Sequence, residues 1–394
     1  MDTPVSMTQP SFRAEFHSAM AAIDAAQWDA MVDADQPHLS HAFLDLAETS
    51  GSVSEDTGWL PCHLTIHQGD KMLAAMPLYQ KSHSWGEFIF DWSWADAFQR
   101  HGLTYYPKLI SATPFTPATA NKLLVAQGED ITLWKRTLLA TAIDFAQQHE
   151  FSSLHLQFLS DADQRACDET TGLLRRSDCQ FHWHNDGYPD FDAFLAQFAS
   201  KKRKNVKRER RRIRENGIRH RIVSGADISD AERARAYALC SRTFLLRGHT
   251  PYLNESFFAG LCDQMPAQIL FVLAEHEDEI VAAAILLRGT ETLYGRYWGS
   301  DGDFHSLHFE TCYYQGIDYC IDHGLRRFEP GTQGEHKVAR GFLPAETVSA
   351  HWLARADFAA AIEDYLDREQ RGVSAYMAEI DRRSPFKAIK SGEP

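Results

Sequence analysis

Between Arg326 and Phe342 the chain reads RRFEPGTQGEHKVARGF, so Glu329, Gln333, Glu335, His336, Lys337 and Arg340 are interleaved with Gly331, Gly334 and Gly341. Carboxylates, an imidazole and an amine can move protons, and lysine or arginine can stabilise an oxygen on which negative charge develops. Glycine lets the backbone adopt positive φ and approach a ligand closely. This stretch is the first candidate for a catalytic wall.

A second constellation lies upstream. From Lys201 to Arg214 there are ten basic residues and one acid, a local charge of +9 in a chain of net charge −14, leaving −23 elsewhere. A basic island in an acidic protein acts over about 10 Å at ordinary salt and points to a polyanionic ligand. Phe191, Phe194, Leu195 and Phe198 recur at helical spacing, so a helix over 190–216 is expected to bury that stripe. Continuing the stripe brings Lys202 and Arg210 beside the apolar seam. With Arg203 they are the expected phosphate grip, guanidinium groups binding phosphate bidentately. The island lacks interleaved aromatics for base stacking, which favours phosphate binding over sequence reading.

These residues need positioning. Leu307, Glu310, Tyr314, Ile317 and Ile321 share one face of a helix expected over 306–323, which turns Glu310 inward. Three antiparallel strands are expected before it (269–274, 280–288, 292–299), then short strands at 327–329 and 347–353 and a closing helix over 357–380. The turn Gly299–His305 carries Asp301 and Asp303, which would repel a pyrophosphate, and it lacks R/Q-x-x-G-x-G/A; this counts against acetyl-CoA bound in the usual way. His305 with His308, and His182 with His184, lack a third ligand, so no metal is expected. In the first half, a strand is expected over 12–20, helices over 25–31 and 42–49, a hairpin over 60–80 turning at Gln68–Asp70, an aromatic strand over 85–94, a helix over 131–149 and a strand over 153–159.

With 394 residues, two domains are expected, 1–186 and 187–394. Hydrophobic content of 44% is that of a globular chain, and no run of about 18 apolar residues is present to cross a bilayer. The opening residues lack a basic and an apolar signal region, so a cytoplasmic location is expected. Seven cysteines, none in a C-x-x-C pair, read as reduced thiols.

The runs SKKRKNVKRERRRIRENGI, RYWGS and LHFETCYYQGIDYCIDHGLRRFEPGTQGEHKVARGFLP resemble the bacterial FemAB-like proteins, most strongly from Tyr188 to Trp352. The resemblance implies a mixed α/β fold of two tandem GNAT-like domains, each a mainly antiparallel sheet flanked by helices, the first a degenerate copy. It also implies transfer of an acyl or aminoacyl group, from aminoacyl-tRNA in the Fem enzymes, to an amine. Amine attack on an ester needs a deprotonated nucleophile and a stabilised oxyanion. Lys337 is the expected oxyanion partner and Glu329 the expected base, with Glu310 and His336 as rivals. Tyr297, Trp298, His305, Gln333 and Arg340 are expected substrate contacts. The expected partners are a phosphate-bearing donor and an amine-bearing acceptor, without a certain cofactor. Two alternatives are an acyl-CoA-dependent GNAT enzyme and a non-catalytic nucleic-acid-binding or adaptor protein.

Overall fold

The computed structural model describes residues 12–387 apart from Asp303 and Gln333. Strands rich in branched and aromatic residues assemble into two sheets. The smaller has four strands and contains the expected hairpin, His63–Gln68 against Lys71–Met76, turning at Gly69 with φ +61°. The larger has eleven strands. In spatial order they are Arg219–Ser224, Ile269–His276, Glu279–Arg288, Thr292–Ser300, Arg327–Glu329, Leu174–His184, Leu343–Leu353, Ser153–Leu156, Lys108–Ser111, Tyr79–Lys81 and Trp59–Pro61. The expected meander forms its first half.

Two parallel pairs interrupt the antiparallel order: Thr292–Tyr294 with Arg327–Glu329, and Leu109–Ser111 with Leu154–Leu156. Parallel neighbours need a long crossover, and here each is linked through a helix, Leu307–Asp322 in one case and Ile131–Gln148 in the other. The strand that follows each pair crosses over. Leu174–His184 leaves the first half to pair with Arg327–Glu329, while Leu343–Leu353 returns to pair with Ser153–Leu156, and the two crossing strands pair with each other. Phe181 and Trp183 accordingly join the core of the second half, and Ala350 and Trp352 join that of the first.

Two expected elements differ. The helix over 190–216 is broken into Phe191–Ala196 and Ser200–Glu215. The carboxy-terminal tail causes the break: Ala199 N–H donates to the Pro385 carbonyl, Lys387 N–H to that of Gln197, and Phe198 bridges Phe386. The apolar stripe nevertheless points inward, Phe194, Leu195, Phe198, Val206 and Ile213 all being buried. The aromatic run 85–94 is a loop entering the helix Trp92–Arg100 rather than a strand, and it leaves Trp85, Phe90 and Trp92 at the surface. The first strand is shorter than expected, Arg13–His17, because it continues only while it pairs with His63–His67.

Candidate functional site

The parallel pair Thr292–Tyr294 and Arg327–Glu329 ends abruptly. Pro330 has no N–H to continue the ladder, and it packs so close to Gly295 that a Cβ there would lie 3.0 Å from Pro330 Cα. Beyond this point the chain enters the glycine-rich loop, with Gly331, Gly334 and Gly341 at φ +99°, +114° and +94°. Gly341 also lies against the aromatic stripe of the basic region; a Cβ there would be 2.6 Å from Phe194 Cζ. Between Gly334 and Gly341, Glu335–Arg340 form a 3-10 helix.

That turn drives Lys337 inward to 2% exposure, where its Nζ donates to the Gly331 carbonyl at 2.5 Å. Burial strips the ammonium of water and pulls the group down to about 7. His336, next to it, stays exposed, its Nε2 2.8 Å from the Tyr313 hydroxyl. Desolvation, then the charges of Arg340 and Lys337, push this imidazole below its ordinary value. Burial likewise lowers His308 to about 4, with His336 adding to the effect; the His308 ring lies 5.6 Å from that of His336 and 5.1 Å from that of Trp298. Tyr313 belongs to a π turn, Glu310–Tyr314, inside the helix expected over 306–323; such bulges commonly mark functional positions.

The basic helix Ser200–Glu215 meets this cluster through two residues. Arg210 Nε lies 3.1 Å from Glu310 Oε1 and its Nη2 lies 2.5 Å from Asp318 Oδ2, with the guanidinium 4.3 Å from the centroid of the Phe191 ring. Glu310 also accepts from Gln315 Nε2 at 2.8 Å. Arg210 is thus the counter-ion of two acids rather than a free phosphate grip, and Glu310 is a paired carboxylate rather than a free base. The single acid of the basic island, Glu209, turns inward as well, accepting from Arg340 Nη2 at 2.8 Å and from the Tyr314 hydroxyl. Arg340 lies over the Phe309 ring at 3.2 Å and donates to the His336 carbonyl at 2.6 Å, so it braces the loop. Lys202 and Arg203 are half-buried on the first turn of the helix.

Glu329 does not join Lys337. Phe328 faces the helix, its ring filling the space beside Gly316, so by strand alternation Glu329 faces the opposite side. Its carboxylate is 3% exposed, and both oxygens lack a hydrogen-bond partner among the described residues; Arg327 Nε lies 3.0 Å away without donating. Burial raises Glu329 to about 7 against the opposing pull of Arg327, and Lys122 across from it is pushed down to about 8 by burial. Tyr297 is buried in the core, where its hydroxyl accepts from Leu253 N–H at 2.9 Å, and so differs from the expected substrate contact. His305 is exposed beside Ser306, and Gln333 lies outside the described residues. His182 is buried against Gln180. Among the described residues, Glu15, His17 and His67 bring three possible metal-ligand atoms within 4.8 Å on the four-stranded sheet, a grouping absent from the sequence expectations. Arg13 engages that glutamate at 2.6 Å.

Sequence reasoning missed Tyr313, Asp318 and Lys122. Asp318 had a signal, lying eight residues after Glu310 on the same helix, close to two turns further along one face.

A family profile, FemAB_like, described by peptidoglycan biosynthesis/recognition, matches residues 19–388. Among solved structures the chain is similar to FemX, at TM-score 0.53 and 11% identity, covering 86% of this chain and 98% of that one. It is also similar to the C-terminal domain of a putative lysylphosphatidylglycerol synthetase from Agrobacterium fabrum, at TM-score 0.50 and 12% identity, covering 88% and 96%. At such identities the likeness is one of fold, a mixed α/β fold with mixed, mainly antiparallel sheets. No curated protein matches the chain.

Proposed function

Because the chain belongs to the FemAB-like family, we propose that it transfers an acyl or aminoacyl group from a phosphate-bearing donor to an amine, with Lys337 at the reacting carbonyl. The observation that carries this reading is the Lys337 amine, buried without a carboxylate partner among the described residues, anchored on Gly331 in the glycine-rich loop and held near 7. A buried cation without an anion gains most when an oxyanion forms beside it, and that is a gain specific to the transition state.

In this scheme the acceptor nitrogen bonds to the carbonyl carbon, the oxygen becomes an oxyanion held by protonated Lys337, and as the carbonyl re-forms the C–O bond to the donor breaks, the departing oxygen taking a proton from the imidazolium that His336 has become. The proton lost by the acceptor goes to His336, which the lowered imidazole keeps neutral at pH 7 and whose Nε2 is linked to Tyr313. Of the three acids and bases expected for this step, His336 has the position: Glu310 is paired with Arg210, and Glu329 faces the other side of the sheet. Lys202 and Arg203 remain the residues for the donor's phosphates. Lys337→Ala should abolish transfer while leaving the melting temperature within a few degrees of wild type; wild-type turnover would remove the assignment.

Aminoacyl-tRNA is the first-choice donor and acyl-CoA the second, since the turn after Thr292–Ser300 lacks the R/Q-x-x-G-x-G/A pattern. A ligand at about 100 times its Kd stabilises the native state by about 2.7 kcal/mol, so thermal shifts with charged tRNA and with acetyl-CoA distinguish the two.

A further inference from the structure

A pocket of about 320 Å³ opens between the loop after Tyr79–Lys81 and the loop before helix Glu255–Gln264. His83, Trp85 and Phe115 form one side of it, His249 and Tyr252 the other. Phe88 and Phe115 sit at φ +64° and +55°, a conformation uncommon for bulky residues, and both rings pack on Tyr252. The walls are therefore aromatic and held under backbone strain.

The rim of this pocket is unusual for an acidic protein. Trp85 is 48% exposed and Leu246 76%, with Phe90, Trp92 and Leu245 also exposed. The aromatic members form one cluster that reaches His249, and Leu245 and Leu246 lie four and three residues before that histidine in the chain. The Trp85 ring lies 5.4 Å from His249 and 5.3 Å from Trp92, which stacks on Phe90 at 5.9 Å, and His249 N–H donates to the Phe244 carbonyl beside Leu245. Exposed Arg242 and Arg247 flank Leu245 and Leu246. Exposed tryptophans in a loop and at a helix start, and leucines at a helix end with arginines beside them, match the chemistry of a bilayer interface, where rings and aliphatic tips enter the headgroup boundary and guanidinium groups meet anionic lipid. The ends of the described chain do not cover the patch: Phe12 packs on Trp134, and Lys387 bonds to Gln197.

We propose that this rim docks on an anionic phospholipid surface and holds the mouth of the aromatic pocket against the headgroups. The docking stands on the rim alone and does not rest on the transferase reading.

The test is flotation of the full chain with vesicles of phosphatidylglycerol and phosphatidylcholine, and with vesicles of phosphatidylcholine alone. Binding should require phosphatidylglycerol and weaken at least ~10-fold in Leu245→Ser/Leu246→Ser. Brominated acyl chains should quench tryptophan fluorescence in wild type and much less in Trp85→Phe/Trp92→Phe. Since all four side chains are exposed, the variants should keep the wild-type melting temperature, and Leu246→Ser alone serves if the pair does not fold. The basic helix provides the control: Lys201→Ala/Lys204→Ala should leave quenching unchanged. Three results would each overturn the proposal: no flotation, flotation lost only in the basic-helix variant, or a rim that instead holds two copies together, with Leu245→Ser/Leu246→Ser converting a dimer to a monomer.

Discussion

If Lys337 acts as the oxyanion partner, the reaction needs its protonated form, and burial has brought that form's loss down to about 7. The sign follows directly. Below 7 the ammonium is present and the oxyanion is stabilised; above 7 the active fraction falls about tenfold per pH unit, so at pH 9 kcat/KM should be about 100-fold below its plateau, or ~2.7 kcal/mol in barrier. On the acid side, His336 must be neutral, and its lowered imidazole places that limb below the ordinary 6.5. The expected profile is a bell with its basic limb near 7 and its acid limb below 6.5. Steady-state kcat/KM from pH 5 to 9.5 measures it, at constant ionic strength because the donor is polyanionic. Arginine stays protonated throughout this range, so Lys337→Arg should lose the basic limb even if geometry lowers its absolute rate. Glu329 also titrates near 7, so Glu329→Gln is the necessary control and should leave both limbs in place. A rate that rises from pH 7 to 9 would make Lys337 the base instead and refute the oxyanion role; a basic limb that persists in Lys337→Arg but vanishes in Glu329→Gln would move the chemistry to the other face of the sheet.

The surrounding structure makes further expectations. Arg210→Ala leaves Glu310, 4% exposed, without its counter-ion, and should cost about 3 kcal/mol in urea unfolding, with Arg210→Lys recovering only part because an ammonium cannot span both acids. Gly341→Ala forces a Cβ into Phe194 at positive φ and should cost ~1–3 kcal/mol by the same measurement. Glu329 is raised from 4.5 to about 7 on folding, so the native state keeps a proton that the unfolded chain releases. Stability should therefore fall as pH rises from 4.5 to 7 and level off above, by up to ~3 kcal/mol from this group, and the decline should shrink in Glu329→Gln.

Local pattern carried much of this structure. Helical spacing placed Phe194, Phe198, Val206 and Ile213 inward and Glu310 beside the core, and turn chemistry located the hairpin at Gly69 and the meander after Ile269. Features made by distant chain were not legible. The break at Gln197–Ala199 is imposed by Pro385 and Lys387, and no property of the 190–216 segment announces it. Arg210 reads as a phosphate ligand until Asp318 and Glu310 arrive from another helix. The run Trp85–Trp94 has strand parity, but Trp94 enters a core whereas Trp85, Phe90 and Trp92 pack on one another and on His249 at the surface. The exchange of Leu174–His184 and Leu343–Leu353 is a matter of which edge accepts which strand, and alternation within a strand is blind to that.

The same blindness explains why Lys337 and Glu329 looked like partners. They are close in sequence to one hinge, Pro330, and both titrate near neutrality, yet they serve different surroundings because adjacent residues of a strand face opposite ways. Phe328 commits its strand to the helix side by occupying the space that Gly316 leaves, so Glu329 has no choice of face. Pro330 then ends the ladder, and Gly331 at φ +99° turns the chain back so that Lys337 returns on the helix side. One extra residue before Pro330 would preserve the loop and its hydrogen bond from Lys337 to Gly331 while shifting the loop against the helix that carries Tyr313. The link between His336 and Tyr313 depends on that register, so the proton acceptor should be lost before the oxyanion partner is. Catalysis in this chain is tied less to the composition of the glycine-rich loop than to the parity at which a three-residue strand delivers it.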